Sequence, residues 1–262
     1  MNEQHFVHRG RRLYYRDIGE GPSVVLLHGF PFDGRIWFPF AERLSTSFRL
    51  IIPDLAGFGS SDVPAEQLSM ELMAGDVAAL VSYLNIDRHV VVGHSMGGYV
   101  ALAMAAGKMT NKLSGLVLFH SQAAADDEAG RARRNDSIAL IRQDKAAFVH
   151  GFVPGLYGKS IPSEADEHLT IAMSQSSEAM ASAMAGLRDR KSHTDWLNNA
   201  EIPILFVVGK QDSRMPHERI MAQAALLPHA EVLVLEGIAH MGFAEAPDII
   251  APVIRDFCQR CL

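Results

Sequence analysis

The sequence predicts an α/β fold, a mostly parallel sheet flanked by helices, into which an all-helical segment is inserted. Three observations carry that expectation. Strand-like and helix-like stretches alternate along most of the chain. The strand-like runs SVVLL (23–27), RLIIP (49–53), HVVV (89–92), GLVLF (115–119) and ILFVV (204–208) are largely apolar instead of alternating, the pattern of strands covered on both faces. Between residues 123 and 199 the alternation lapses and no strand-like run occurs. The expected division is a core of residues 1–122 and 200–262 with a helical cap at 123–199.

In chain order, Gln4–His8 and Arg12–Asp17 alternate loosely around Gly10 and read as an antiparallel hairpin at a sheet edge. Arg9, Arg11 and Arg12 are expected at its solvated tip. Ser23–Leu27 runs into His28-Gly29-Phe30-Pro31, and a helix is expected over Gly34–Ser45. Arg49–Pro53 leads into the glycine-rich loop 54–62. Ser69–Leu84 reads as a helix capped by Ser69. His89–Val92 gives way at once to an Ala/Met-rich helix over Gly93–Gly107, and Gly115–Phe119 is again a strand. Helices are expected over Asp127–Arg142, Lys145–Phe152 and Ser163–Arg190. In the last of these, Leu169, Met173, Met180, Met184 and Leu187 fall near one face and predict an apolar stripe. After Pro203 follow strand Ile204–Val208, helix His217–Leu227, strand Glu231–Leu235 and helix Glu245–Cys261.

Composition narrows the class of function. The chain has 262 residues, a net charge of −6, 48% hydrophobic and 21% charged residues. That length suits one or two domains and a large core that needs no staples. The hydrophobicity is too high for a disordered chain, and no apolar run approaches the ~18 residues of a membrane span. The mild acidity argues against a nucleic-acid partner, which demands a basic field. The N-terminal stretch lacks an apolar run behind a basic start, so no secretory leader and a cytoplasmic location are expected. The two cysteines, Cys258 and Cys261, form C-x-x-C without a second pair or a following histidine. They are expected to be coincidental neighbours on a terminal helix, with neither disulfide nor metal. The oligomeric state is left open.

Gly93-His94-Ser95-Met96-Gly97-Gly98 is the most informative stretch: G-x-S-x-G set between a strand and a helix. A sharp strand-to-helix turn forces the serine backbone into a strained conformation. Glycines two residues before and two after leave room for neighbouring chain. The turn lifts the hydroxyl clear of the sheet, beside the positive end of the helix. Ser95 is therefore the candidate nucleophile.

On these residues the chain resembles the α/β-hydrolase superfamily over essentially its whole length. Its nearest likeness is to small serine esterases and enol-lactonases with a helical cap. The resemblance implies a triad in the order serine, acid, histidine, because a serine needs a base and the base an orienting acid. GIAHMGFAEAP (237–247) is similar to the family's G-x-x-H segment with its downstream E-x-P, which makes His240 the base. GKQDSRMP (209–216) is similar to the acid loop and makes Asp212 the acid. Asp126 and Asp127 are the second choice, since some members keep the acid after the earlier strand. HGFP (28–31) is similar to the family's H-G-x-P, so the amides of Phe30 and Met96 are the expected oxyanion donors. His94 is expected behind the elbow, His28 as a brace of its loop, His217 at a helix start, and His120 beside the pocket. DLAGFG (54–59) resembles the family's D-x-R-G-x-G, with Ala56 where arginine is frequent, which removes one structural ion pair. Its glycines do not make a phosphate loop, since the third glycine of that pattern is absent.

The resemblance implies a serine hydrolase that cleaves a small carboxylic ester or lactone through an acyl-enzyme, with no cofactor and no metal. An apolar pocket is expected, lined by Phe30, Trp37, His120, Phe148, Phe152, Met173 and Met180. A serine at the elbow argues against the dehalogenase and epoxide-hydrolase branches, which use aspartate there. Carbon–carbon bond hydrolases and hydroxynitrile-lyase-like members share the triad, and some members with intact triads act as ligand receptors. Both alternatives stay open at this point.

Overall fold

The computed structural model describes residues 3–107, 113–159 and 161–262; Met1, Asn2 and Ser160, which fall in stretches interpreted above, lie outside them. Eight strands, β1 (Glu3–His8), β2 (Arg11–Ile18), β3 (Ser23–Leu27), β4 (Arg49–Pro53), β5 (His89–His94), β6 (Leu113–Phe119), β7 (Ile204–Gly209) and β8 (Ala230–Leu235), form one sheet. Their order across it is β1-β2-β4-β3-β5-β6-β7-β8. The β1–β2 hairpin and the β2–β4 pairing are antiparallel, and every pairing from β4 to β8 is parallel. β3, β5 and β7 are buried at every residue, which is why their sequences are apolar without alternation. β8, at the far edge, is mostly open to solvent on part of its surface.

The helices are α1 (Phe38–Glu42), α2 (Met70–Tyr83), α3 (Met96–Ala106), α4 (Glu128–Gln143), α5 (Lys145–Phe152), α6 (Ala165–Ser174), α7 (Ser177–Asp189), α8 (Thr194–Asn198), α9 (His217–Ala224), α10 (Gly242–Glu245) and α11 (Pro247–Cys261). Their starts follow capping chemistry. Ser69, Asp127, Asp144 and Ser176 each accept a hydrogen bond from an amide in the first turn of α2, α4, α5 and α7, satisfying donors that the helix itself cannot. Helices α4 to α8 follow one another between β6 and β7 with no intervening strand. Among the described residues, no helix is long and apolar enough to cross a membrane.

Several expected elements are corrected. The helix expected over Gly34–Ser45 is a 3-10 turn at Gly34–Trp37 followed by the short α1. Pro39 lacks the amide that would continue the first turn into the second. The helix expected over Ser163–Arg190 is two helices, α6 and α7, broken at Gln175 and Ser176. Gln175 is drawn into the core instead: its side chain accepts from the Gly59 amide at 2.9 Å and donates to Asp33 Oδ2 at 2.8 Å, while Ser176 caps α7. The apolar stripe is therefore not one face. Met180, Met184 and Leu187 are buried on α7, whereas Leu169 and Met173 are only partly buried on α6. The last helix, expected from Glu245, starts at Pro247 as α11, and the short α10 before it and α8 were not expected. The hairpin arginines are not simply solvated: Arg11 pairs with Asp76 of α2 at 2.9 Å and Arg12 with Asp62 at 3.2 Å. Cys258 and Cys261 are buried free thiols on α11, and burial pushes Cys261 up to about 11.

One buried carboxylate ties the antiparallel strands to the loops above the parallel ones. Asp54 accepts from Arg16 Nη1 of β2 at 2.8 Å, from the Gly34 amide at 2.9 Å and from the Ser60 amide at 3.0 Å. Burial raises its pKa, with the Arg16 charge and the Ser60 amide acting the other way. Arg16 thus supplies an ion pair to this loop from another strand, although Ala56 supplies none. Removing one partner of a buried pair leaves the other charge desolvated and costs about 3–5 kcal/mol. Asp54→Ala is expected to lower the unfolding free energy by about that much, measured as a lower urea midpoint at unchanged slope.

Candidate active site

Ser95 sits between β5 and α3 at φ +50°, ψ −111°. It is the one residue from 89 to 105 that is not fully buried. Its amide donates to the Phe119 carbonyl at 2.9 Å, and its own carbonyl accepts from Ser121 Oγ at 2.9 Å. A Cβ on Gly93 would lie 2.5 Å from the Gly97 carbonyl oxygen, and one on Gly97 would lie 2.4 Å from that of Leu27. The glycines of G-x-S-x-G thus allow backbone to touch backbone. The second contact sets the first turn of α3 against the end of β3, where the HGFP loop begins. His28 braces that loop: the Leu55 amide donates to its Nε2 at 2.9 Å, and its Nδ1–H donates to the Gly29 carbonyl at 3.1 Å. Among the described residues, neither the Phe30 amide nor the Met96 amide meets an acceptor.

His240 lies in the loop between β8 and α10, and Asp212 in the loop between β7 and α9. His240 Nδ1–H donates to Asp212 Oδ2 at 2.7 Å, while Asp212 Oδ1 accepts from the amides of Arg214 at 2.8 Å and Met215 at 2.9 Å. Burial works to raise the Asp212 carboxyl, but the charge and hydrogen bond of His240, the nearby His120 and the Met215 amide hold it below its ordinary value. The His240 backbone is fastened on both sides. Its amide donates to the Leu156 carbonyl at 2.9 Å, and its carbonyl accepts from His94 Nε2–H at 2.8 Å. Glu245, to which the sequence reading gave no role, accepts from the amides of Met241 at 3.0 Å, Ala239 at 3.1 Å and Gly158 at 2.9 Å. Its signal was the E-x-P downstream of the histidine.

The second-choice acids are engaged elsewhere. Asp126 pairs with Arg190 at 2.7 Å and Arg134 at 3.1 Å, and Asp127 caps α4. His94 is fully buried behind the elbow, and burial drives its pKa well below the ordinary value. His217 is at the start of α9, with its ring 3.4 Å from Glu218. Among the described residues, no three His, Cys, Asp or Glu side chains converge as a metal site would require.

Ser95 and His240 line one cavity of about 330 Å³. Phe30 and Phe152 line it as well, but its wall is more polar than expected, with Asp126 and Asp127 just before α4, Arg133 and Arg134 on α4, Arg214 in the loop after β7 and Arg219 on α9. Phe148 stands behind the two aromatic rings, 5.1 Å from Phe152 and 6.1 Å from Phe30 between centroids. Trp37 does not reach the cavity; it is fully buried among Phe40, His94, Phe119 and Phe243. His120 does not reach it either. Its Nδ1 lies 3.5 Å from Asp212 Oδ2, on a ring closed off by Gly242, and burial holds its pKa at about 3. Met173 on α6 and Met180 on α7 are absent from the wall, and Met184, one turn after Met180, lines it. Tyr99, Leu187 and Arg214 line the wall and were not anticipated. Of these only Arg214, a charge two residues past the acid, had a visible signal.

With this geometry in view, the comparisons with known proteins are specific. Residues 22–247 match the family described as the alpha/beta hydrolase fold. The chain is similar to a malate-bound thermophilic esterase from Thermogutta terrifontis, at 31% identity and a TM-score of 0.92, covering 100% of this chain and 99% of that one. It is 26% identical over 249 residues to a pimeloyl-[acyl-carrier protein] methyl ester esterase from Xanthomonas campestris, covering 92% of this chain and 96% of that protein. It is also similar to Est816, an N-acyl homoserine lactone degrading enzyme, at 25% identity and a TM-score of 0.83, covering 97% and 100% of the two chains. The burial of Met180 has a measurable consequence. Met180→Ala is expected to cost about 2–5 kcal/mol, as for a methionine truncated in a core, and Met184→Ala, on the cavity wall, less. Urea denaturation of the two variants checks the ranking.

Proposed function

The chain belongs to the alpha/beta hydrolase family, and from that premise we propose that it is a serine hydrolase of a small carboxylic ester or lactone. One observation carries the reading: a serine on a strained turn and a histidine paired with a buried carboxylate open onto the same cavity. The names of the relatives, two esterases and a lactone-degrading enzyme, support the ester bond as the target.

In this reading Ser95 Oγ attacks the carbonyl carbon as His240 Nε2 takes its proton. Asp212 holds the imidazole by Nδ1 and stabilises the imidazolium that forms. The tetrahedral oxyanion is received by the amides of Phe30 and Met96, which have no other acceptor among the described residues. Each such donor is worth about 3 kcal/mol to the transition state. Collapse expels the alcohol, which takes the proton from His240, and leaves an acyl group on Ser95. Water, deprotonated by His240, attacks that acyl group, and the acid departs as Ser95 is reprotonated. A lactone follows the same steps with its alcohol still tethered. Residues 123–199 serve as the cap. They supply Phe152, Met184 and Leu187 to the wall, and the Leu156 carbonyl that the His240 amide meets.

Two variants test the reading. Ser95→Ala is expected to lose about 10⁶ in kcat while the protein stays folded, and a fluorophosphonate probe should label Ser95. Asp212→Asn should lose about 10⁴, because an amide favours the wrong imidazole tautomer. Labelling at another residue, or full ester turnover by Ser95→Ala, would overturn the assignment.

A further inference from the structure

The wall of the cavity that holds Ser95 and His240 carries four arginines, Arg133, Arg134, Arg214 and Arg219, against two aspartates, Asp126 and Asp127. This excess of positive charge occurs in a chain whose net charge is −6. Both aspartates are already engaged. Asp126 takes Arg190 and Arg134, and Asp127 caps α4 and lies 3.5 Å from Arg219. Arg133 and Arg214 remain: among the described residues, no carboxylate lies within ion-pairing distance of either guanidinium.

Arg214 is the better placed of the two. Its amide is bonded to Asp212, so it shares the turn that orients His240. Its guanidinium carbon lies 4.4 Å from the centroid of the Phe152 ring. A guanidinium held over a ring face keeps its N–H groups in its own plane, directed past the ring edge. That fork matches a carboxylate in two parallel hydrogen bonds. Arg214 is an exposed residue on the cavity wall, so an incoming anion can reach its guanidinium directly.

We infer that the substrate is an ester that also bears a carboxylate, and that Arg214 receives that carboxylate while Ser95 attacks the ester carbonyl. The inference rests on the hydrolase reading of Ser95 and His240 and adds the charge class of the substrate to it. Phe30, Phe152, Met184 and Leu187 then contact the short apolar stretch between the two functional groups.

The test compares kcat/KM within two pairs of esters. Monomethyl glutarate is set against methyl hexanoate, with the charge on the acyl side. Acetoxyacetate is set against propyl acetate, with the charge on the alcohol side. At least one anionic ester should be preferred by about tenfold or more, the scale of one charge-assisted contact. Arg214→Gln should bring that ratio close to one, and Arg214→Lys, which keeps the charge, should retain part of it. The same compounds titrated by ligand-detected NMR onto Ser95→Ala protein, with and without Arg214→Gln, read the charge preference without turnover. Equal kcat/KM and equal binding within both pairs would overturn the inference and leave the hydrolase reading standing. A preference unchanged in Arg214→Gln would overturn the role of Arg214. If no ester is hydrolysed, the hydrolase reading falls, and the binding ratio decides the charge preference by itself.

Discussion

A non-glycine residue held at positive φ costs on the order of 1–3 kcal/mol and persists only where its surroundings over-determine it. Ser95, at φ +50°, is such a residue. Its amide and carbonyl are both bonded to the segment that leaves β6, and glycines on either side let the turn press against β3. His120, the residue after β6, is at φ +48°. Two neighbouring strands therefore turn away sharply at the same level of the sheet. The strain at Ser95 is offset by packing that only these close approaches permit, and the position of everything above the sheet follows from it.

A parallel sheet adds a second consequence. All its strands from β4 to β8 point the same way, so the loops that follow them gather at one edge. Phe30 follows β3, Ser95 follows β5, His120 follows β6, Asp212 follows β7 and His240 follows β8. Residues far apart in the chain meet there without any one element spanning the distance between them. The loop that carries His240 is then held by Glu245, Leu156 and His94, so its ring is aimed by backbone contacts on several sides rather than by the bond to Asp212 alone.

The same edge sorts its ionisable groups by burial. His28, His94 and His120 are enclosed and drawn toward the neutral form, since a charge without water or a partner is costly there. Asp212 stays below the ordinary carboxylate value because His240 and two amides meet it. On the far side of the cavity the balance reverses, with more arginine than aspartate facing the space. The helical segment between β6 and β7 supplies much of that wall. It is fastened to the core by Gln175 on Asp33 and Gly59, and by Arg190, whose guanidinium lies 4.2 Å from the centroid of the Tyr99 ring of α3.

Local chemistry alone was enough to read most of the sheet. Strands buried on both faces have to be apolar, caps have to be Ser or Asp, and Gly-x-Ser-x-Gly between a strand and a helix admits few other geometries. Ser23–Leu27, Arg49–Pro53 and Lys145–Phe152 have the bounds the sequence implies, and Ser95, His240 and Asp212 stand out because they sit in short loops at strand ends. What the sequence could not decide was which part of a docked element reaches the cavity. Met180 and Met184 are the same residue type one helical turn apart, yet one is core and the other wall. Trp37 and Phe152 are both large aromatics, yet only Phe152 reaches the space. The break at Gln175 comes from hydrogen bonds to Asp33 and Gly59, more than a hundred residues earlier in the chain, and no local pattern reports a partner that distant. The charge of the cavity was hidden for the same reason. Arg133 and Arg214 are ordinary surface residues along the chain, and only the packing of α4 and α5 over the loop between β7 and α9 turns them toward a common space.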